Sequence, residues 1–140
     1  MRFRDYFSLK HILFAIVLIA VMLAFAVRQS NNTVKVNFGS TEVSIFSSKY
    51  SLSIPYNMVA SAKLTELAVP GERLADAYDD DILRAGFWEN ETWGEYYIVA
   101  DLDVDTCIVT ELDDGRIFVF SRKNDNATAG DFEILKTHIS

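Results

Sequence analysis

Residues able to act as a nucleophile or a general base are scarce in this chain. The sequence contains one cysteine, Cys107, and two histidines, His11 and His138. A nucleophile needs a positioned base, and Cys107 with His138 is the one such pair available. A thiol within a strand pattern, paired with a histidine beside a fraying terminus, is a poor nucleophile. Because Gly-x-Ser-x-Gly motifs, phosphate-binding glycine loops and zinc spacings are also missing, we predict a non-enzyme without a cofactor.

Three aspartates at alternate positions, Asp101, Asp103 and Asp105, form the first of two acidic groups. On a strand they would share one face, and carboxylates at alternate positions also open a calcium-binding loop. However, Thr106 stands where such a loop needs glycine, and Leu112 where it needs a bidentate glutamate. The pattern favours a solvated loop between two strands, with a weak extracellular calcium site as the alternative.

The second acidic group comprises Glu72, Asp76 and Asp79-Asp80-Asp81. Carboxylates this close together repel one another, which suits a solvated connection. No histidine lies nearby to complete a set of metal ligands. We predict an irregular polar connection over residues 68–86 and no metal site.

Five aromatic residues crowd one short segment and are the candidates for a binding surface. They are Phe87, Trp88, Trp93, Tyr96 and Tyr97. Because side chains alternate between the two faces of a strand, about half of these rings should enter the core. The others would leave an aromatic patch for a protein partner or a glycan, with Phe87, Trp88, Trp93 and Tyr97 as the proposed binding residues. Core packing of all the rings is the competing interpretation.

An apolar run over residues 12–27 precedes the polar remainder of the chain. With its flanking residues it spans about 30 Å as a helix, which matches the hydrocarbon core of a bilayer. Lys10 and Arg28 would then lie at the two membrane interfaces, with their charges in water. The competing interpretation is a secretory signal peptide, because Ala24-Phe25-Ala26 matches a cleavage pattern of small residues.

The chain therefore divides into a basic segment over 1–11, a transmembrane helix or signal segment over 12–28, a linker over 29–33 and one domain over 34–140. Basic residues are slightly more numerous before the apolar run than just after it, which predicts a cytoplasmic N-terminus. We expect a single-pass protein of the cell membrane whose C-terminal domain is extracytoplasmic. A cleaved signal peptide would deliver the same domain to the same side.

The part of the chain after Arg28 is strongly acidic. It carries nine lysines and arginines against nineteen aspartates and glutamates, which leaves a formal charge of −10. Such a surface repels nucleic acid and anionic headgroups, so we expect neither nucleic-acid binding nor phosphoinositide binding. Cys107 is the only cysteine, and the chain therefore forms no internal disulfide.

Alternation of apolar and polar residues predicts about seven antiparallel strands followed by one helix. The predicted strands lie at residues 34–38, 43–45, 50–54, 59–64, 95–100, 106–110 and 116–120. A helical turn is the alternative for residues 59–64, where the pattern favours a strand. The first three form a meander, and Asp113-Asp114-Gly115 joins the last two as a hairpin. Thr128 is the predicted N-cap of the helix, with Asp131 as its capping-box partner.

Seven strands and a terminal helix resemble the pleckstrin-homology (PH) superfold, and bacterial PH-like domains in particular. The similarity rests on these segments: Tyr50-x-Leu52-x-Ile54-Pro55, Val59-x-x-Ala62, Gly86-Phe87, Gly94-x-Tyr96, Cys107-Ile108-Val109 and Asp114-Gly115-Arg116-Ile117-Phe118-Val119. The resemblance covers residues 34–138 and implies a partly open barrel, which many relatives carry behind a membrane span. The basic loop with which eukaryotic relatives bind phosphoinositides is missing, because Asn37-Phe38-Gly39-Ser40 stands in its place.

These patterns predict a membrane-anchored bacterial PH-like domain that acts as a non-catalytic binding or scaffolding module. Its partners would be the lipid bilayer, through the N-terminal helix, and a protein, at an open sheet edge or beside the terminal helix. The alternative is an extracytoplasmic protein that binds a small ligand or a glycan with segment 87–97. An exposed Trp88 or Trp93 beside a concave pocket would favour the alternative, and an exposed strand edge the binding module.

Overall fold

The computed structural model describes the secondary structure of residues 3–32 and 34–139, and the side chains of residues 9–24 and 34–139. The chain forms two compact units, residues 1–31 and residues 32–140. The first unit consists mainly of helix α1 (Phe3–Asn32), whose last residue lies at the boundary. Within the described residues, no helix reaches both the length and the hydropathy that crossing a bilayer demands. Lys10 is exposed on α1, whereas the side chain of Arg28 lies outside the described residues.

The second unit is mostly β with one C-terminal helix, which confirms the predicted fold class at this level. Residues 34–139 form ten strands where about seven were predicted. The strands are β1 (Lys35–Phe38), β2 (Glu42–Ser47), β3 (Tyr50–Pro55), β4 (Val59–Glu66), β5 (Glu72–Arg73), β6 (Tyr78–Asp79), β7 (Leu83–Asn90), β8 (Gly94–Asp101), β9 (Thr106–Leu112) and β10 (Ile117–Ser121). A 3₁₀ turn (Tyr56–Met58) leads from β3 into β4, and helix α2 (Asp125–Ile139) follows β10.

Strands β1, β2 and β3 form a small antiparallel sheet, the meander that the alternation predicts. Val43 pairs with Ile54, and Ile45 pairs with Leu52 across the two longer strands. All four side chains are buried, while the residues between them are exposed or half-buried. The small sheet therefore has one apolar face, as period-2 patterning requires.

The remaining strands form a large sheet in the order β4-β9-β10-β8-β7-β5, with β6 also paired to β7. Strand β10 returns from β9 and lies between β9 and β8, so it runs antiparallel to β9 and parallel to β8. The sheet is therefore mixed, and the prediction of purely antiparallel strands is wrong at this pair. Its two edges are β4 and the β5–β6 segment, so the sheet does not close into a barrel.

The connection predicted to be irregular contains β5 and β6 and is followed directly by β7. Both short strands pair with the same edge of β7, and a bulge separates them. At the bulge the Leu74 amide donates to the Phe87 carbonyl (3.0 Å) and the Phe87 amide to Ala75 (3.1 Å). Gly86 accommodates this close approach with a φ of 91°, since a Cβ there would lie 2.1 Å from the Asp76 carbonyl oxygen. Acidic residues are depleted in strands, so the sequence pattern does not predict that β5 and β6 pair with β7.

Two apolar cores lie on the opposite faces of the large sheet. The first core lies between the two sheets and α2, and includes Ile45, Val99, Phe120 and Leu135. The second core consists of Trp88, Trp93, Tyr96, Ile98, Ala100, Cys107, Val109 and Val119, with Leu67, Ala68 and Ala77 packed against it. Because both faces are covered, the central strands β8 and β9 carry continuous apolar runs.

Helix α2 begins at Asp125, earlier than the capping pattern predicts. The Asn124 side chain caps it by accepting a hydrogen bond from the Ala127 amide at 2.7 Å. Thr128 is buried in the first turn and accepts a hydrogen bond from the Arg122 amide, so its predicted capping role is wrong. Asp131 pairs with the Arg122 guanidinium at 3.3 Å instead of closing a capping box.

Candidate functional site

The hairpin of β7 and β8 divides the aromatic segment between the two faces of the large sheet. Trp88 pairs in register with Tyr96, and Phe87 pairs with Tyr97. Residues paired across a sheet point to the same face, so the first pair enters the second core and the second pair lies on the other face. Trp88 is 2% exposed and Trp93 8%, whereas Phe87 is 44% exposed. Three of the five rings, both tryptophans and Tyr96, are therefore core, close to the predicted half.

The buried part of the segment forms hydrogen bonds to the chain at residues 69–70, which leads into β5 beside the second core. The Tyr96 hydroxyl donates to the Pro70 carbonyl at 2.6 Å, and the Asn90 amide donates to the Val69 carbonyl at 3.0 Å. Burial raises the pKa of Tyr96 to about 12. The Trp93 indole nitrogen is buried without a hydrogen-bond partner among the described residues. These residues stabilise the fold, and the exposed part of the segment is the part that is accessible to a ligand.

Phe87, Tyr97 and Phe118 form the wall of a surface cavity, the aromatic pocket. The three residues lie side by side in register on β7, β8 and β10. The Phe87 and Tyr97 rings are 4.7 Å apart edge to face, and the Tyr97 and Phe118 rings are 6.4 Å apart. The cavity holds about 300 Å³ and is completed by Glu95 and the turn from Asp114 to Ile117. This volume lies at the lower end of the range of ligand pockets.

Arg116 places an internal cation at one wall of the aromatic pocket. Its guanidinium carbon lies 5.4 Å from the centre of the Phe118 ring, within the range of a cation–π contact. Its Nε donates to the Asp114 carboxylate at 2.8 Å. Hydrogen bonds from the backbone amide and the guanidinium of Arg116 lower the pKa of Asp114. The turn thus positions a guanidinium against an aromatic face.

Three glutamates form a row beside the aromatic pocket, two residues further along the strands than Phe87 and Tyr97. Glu72 pairs with Glu89, and Glu89 pairs with Glu95, across β5, β7 and β8. All three side chains are exposed, and none forms an ion pair with another described residue. Burial raises the pKa of the Tyr97 hydroxyl, and the negative charge of nearby Asp76 raises it further. This end of the sheet is both aromatic and negatively charged.

The outer edge of β4 is a second exposed feature. Strand β4 pairs with β9 along residues 59–66 and forms one edge of the large sheet. Within residues 34–139, no backbone hydrogen bond reaches its other side. Lys63 is exposed, and Leu64 is 36% exposed. The prediction of a fourth strand over 59–64 is confirmed, and it supplies the exposed edge.

The other residues singled out from the sequence have structural roles. Cys107 is fully buried in the second core, and burial raises the pKa of its thiol to about 12. The His138 ring stacks on Tyr56 at 4.4 Å and on Phe38 at 6.0 Å. This stack joins the last turn of α2 to the small sheet and to the 3₁₀ turn. Cys107 and His138 thus belong to different parts of the fold.

The acidic groups bond to the backbone around them. The buried Asp101 carboxylate accepts the Asp103 amide at 3.0 Å, and burial raises the pKa of Asp101. Asp80 accepts the Ile82 and Leu83 amides, both at 2.7 Å, and so shapes the turn before β7. Among the described residues, no group of three or more histidines, cysteines and acids is arranged to hold a metal ion.

No protein-family model, curated protein or solved structure matches this chain. The candidate sites therefore rest on the geometry of the β4 edge and of the aromatic pocket. Phe87 and Tyr97 were predicted as binding residues, whereas Phe118, Arg116 and the glutamate row were missed. Their proximity depends on the strand order β7-β8-β10, which local alternation does not reveal.

Proposed function

We propose that this chain is a membrane-anchored, non-catalytic binding module, in which a PH-like β domain outside the cytoplasm takes a partner polypeptide at the edge of β4. The unpaired outer edge of β4 is the observation that carries this proposal. An extended peptide can add a strand to such an edge through main-chain hydrogen bonds. Because Trp88 and Trp93 are buried, their rings are not available to stack against a small ligand or a glycan, which weakens the competing function.

The two edges of the large sheet differ in the way that such a function requires. Eight residues of β4 offer about 27 Å of strand. Alternate residues direct both N–H and C=O outward, so about four residues of β4 are available to a partner. The opposite edge is broken into the two-residue strands β5 and β6, separated by a bulge. Proteins commonly protect sheet edges with short strands and bulges. Strand β4 has one irregularity, between Val59 and Ser61, but pairs continuously with β9 over residues 61–66 and so keeps a longer regular edge.

The membrane anchor is proposed for residues 12–28. The whole of α1 (Phe3–Asn32) is helical, a length of about 45 Å that exceeds the hydrocarbon core. The described apolar side chains of α1, from Leu9 to Leu23, are exposed to the surroundings of the helix. A domain with a formal charge of −10 gains nothing from anionic headgroups, so the anchor would supply the attachment to the bilayer.

Cell fractionation and intact-protein mass spectrometry test the anchor. We expect the uncleaved chain in the membrane fraction, resistant to carbonate extraction. A soluble product that begins near Val27 would instead identify a cleaved signal peptide and refute the anchor. Protease added to intact cells should digest the domain if it lies outside the cytoplasm, and protection of the domain would refute that orientation.

Peptide selection followed by hydrogen exchange tests the β4 edge. Random heptapeptides displayed on phage would be selected against the full chain in detergent micelles. We expect the selected peptides to protect amides of residues 59–66 from exchange, because pairing would bury outward N–H groups. Successive amides of an edge strand point alternately toward the paired strand and outward. Of the two substitutions Lys63→Pro and Leu64→Pro, only one therefore removes an outward donor while sparing the pairing with β9. That variant should fold normally and lose the peptides, and undiminished binding by it would refute the edge.

A further inference from the structure

We infer that the aromatic pocket binds a basic side chain of a partner polypeptide, an arginine guanidinium or a lysine ammonium. The inference deepens the proposed binding function, on which it rests, by naming the chemistry of the partner. It depends on a surface of β10, β8 and β7, which β9 separates from the β4 edge, so each can be tested without the other.

The aromatic part of the argument is the row of three rings. Phe87, Tyr97 and Phe118 follow one another across three neighbouring strands and present rings at edge-to-face angles of 72° and 85°. Rings that pack edge to face cannot all bury their faces against one another. Phe87 is 44% exposed, so part of its ring is open to solvent. The face of an aromatic ring carries negative electrostatic potential and attracts cations.

Arg116 demonstrates within the molecule that this wall accepts a guanidinium. It lies over the Phe118 ring and is held there by Asp114, both in contact distance. Its side chain is 56% exposed, so the contact is made at the mouth of the cavity and not in its interior. A guanidinium from outside would make the same contacts on the Phe87 and Tyr97 rings, or would replace Arg116 on Phe118.

The charge around the aromatic pocket selects a cation over an anion or a neutral apolar group. Like charges placed directly opposite one another on neighbouring strands are destabilising, and the row of Glu72, Glu89 and Glu95 contains two such pairs. A cation bound beside Glu95 would relieve this repulsion. The acidic balance of the whole domain draws basic partners toward it and repels acidic ones.

The size of the cavity indicates a side chain of a polypeptide. At about 300 Å³ it admits one extended side chain, and it is open on one side, where the backbone that carries the side chain would lie. A metal ion would find no arranged set of ligands among the described residues. Free polyamines share the ammonium chemistry, and the experiment separates the two sources.

Titration with short peptides tests the inference. The probes are acetyl-Gly-Gly-Arg-Gly-Gly-amide, the same peptide with lysine, and the same peptide with citrulline, which keeps the shape of arginine without its charge. With the full chain in detergent micelles, we expect the two basic peptides to shift the amide resonances around Tyr97 and Phe118. Their affinity should exceed that of the citrulline peptide at least tenfold. Equal binding of all three, or tighter binding of spermidine than of the peptides, would overturn the inference.

Substitutions in the chain provide a sharper discrimination. Arg116→Gln removes the internal cation and frees the Phe118 face, so it should tighten binding of the arginine peptide severalfold. Glu95→Gln and Phe87→Leu should weaken it severalfold, while Asp81→Asn, an equal loss of charge at the other end of β7, should leave it unchanged. Weaker binding by Arg116→Gln would contradict the inference, provided that its thermal midpoint matches that of the wild type.

These experiments can refute one of the two proposed binding surfaces without refuting the other. Arginine-peptide binding that survives the substitution blocking the β4 edge supports the aromatic pocket whether or not the edge binds a strand. Peptides that protect β4 but ignore the charge of the probe would refute the basic-side-chain inference and leave the edge in place.

Discussion

Tyr96 ties the chain covering the second core to the large sheet, and removing its hydroxyl tests the strength of this attachment. The hydroxyl donates a 2.6 Å hydrogen bond to the Pro70 carbonyl, and Tyr96 is 2% exposed. Tyr96→Phe keeps the ring, creates no cavity and leaves the Pro70 carbonyl without this donor. The hydrogen bond is partly buried, and losing such a bond costs about 0.5–1.5 kcal/mol. For a domain of this size, that corresponds to a fall of about 2–6 °C in the thermal midpoint.

Tyr97→Phe is the matched control for this substitution. Tyr97 is the next residue on β8, points to the opposite face and donates no hydroxyl hydrogen bond to a described residue, so its loss should cost less than about 0.5 kcal/mol. Urea unfolding of both variants measures the difference. Hydrogen exchange should show faster exchange at residues 67–72 in Tyr96→Phe, and unchanged protection in β9 and β10. Equal stabilities of the two variants would refute the role assigned to the Tyr96 hydroxyl.

Two further predictions concern the second core and the β7 bulge. Burial raises the pKa of Cys107 from 9.0 to about 12, so the unfolded chain loses this proton first and stability falls as the pH rises from 9 toward 12. Urea unfolding at pH 7 and pH 10.5 should show that Cys107→Ala removes about 2 kcal/mol of this alkaline loss, and an unchanged loss would contradict it. Gly86→Ala and Gly115→Ala impose nearly equal backbone strain, with φ values of 91° and 90°, but only the former places a Cβ against backbone. Gly86→Ala should therefore cost about 1–3 kcal/mol more, and equal thermal midpoints would refute the close approach of Asp76.

Local alternation was sufficient for the strands whose two faces differ in polarity. Val43 and Ile45 alternate with polar residues, and the β2–β3 pairing places both in the first core. Strand β7 lacks this alternation of polarity. Asn90 is polar but is buried on the same face as Trp88, and Gly86 lies opposite the bulge between β5 and β6. The sequence therefore predicts the small sheet and β4 but not β7, β5 or β6. The order β9-β10-β8 is also beyond local patterns, since it depends on which neighbour β10 meets in space.

The candidate site was predictable only in the part that one hairpin contains. Phe87 and Tyr97 lie on β7 and β8, which are consecutive in the sequence, so the crowding of aromatic residues in one short segment was enough to name both as binding residues, although their pairing was not predicted. Phe118 joins them because β10 lies beside β8, a parallel pairing between strands that β9 separates in the chain. Trp93 follows the end of β7 in the turn, where the period of two no longer applies, and it enters the second core.

The way in which the large sheet is covered explains why the proposed binding surfaces lie at its edge and its end. The small sheet and α2 cover one face, and the chain over residues 67–77 covers the other. Strand β5 lies within that segment and β6 follows it directly, and both pair with the edge of β7, so this part of the chain covers a face and an edge. Two exposed parts of the large sheet carry the proposals: the outer edge of β4, and the aromatic pocket, where Phe87 is exposed beside Tyr97 and Phe118 at the margin of the first core. One offers main-chain hydrogen bonds and the other offers aromatic faces beside carboxylates. An extended, basic polypeptide is the class of partner that matches the chemistry of both.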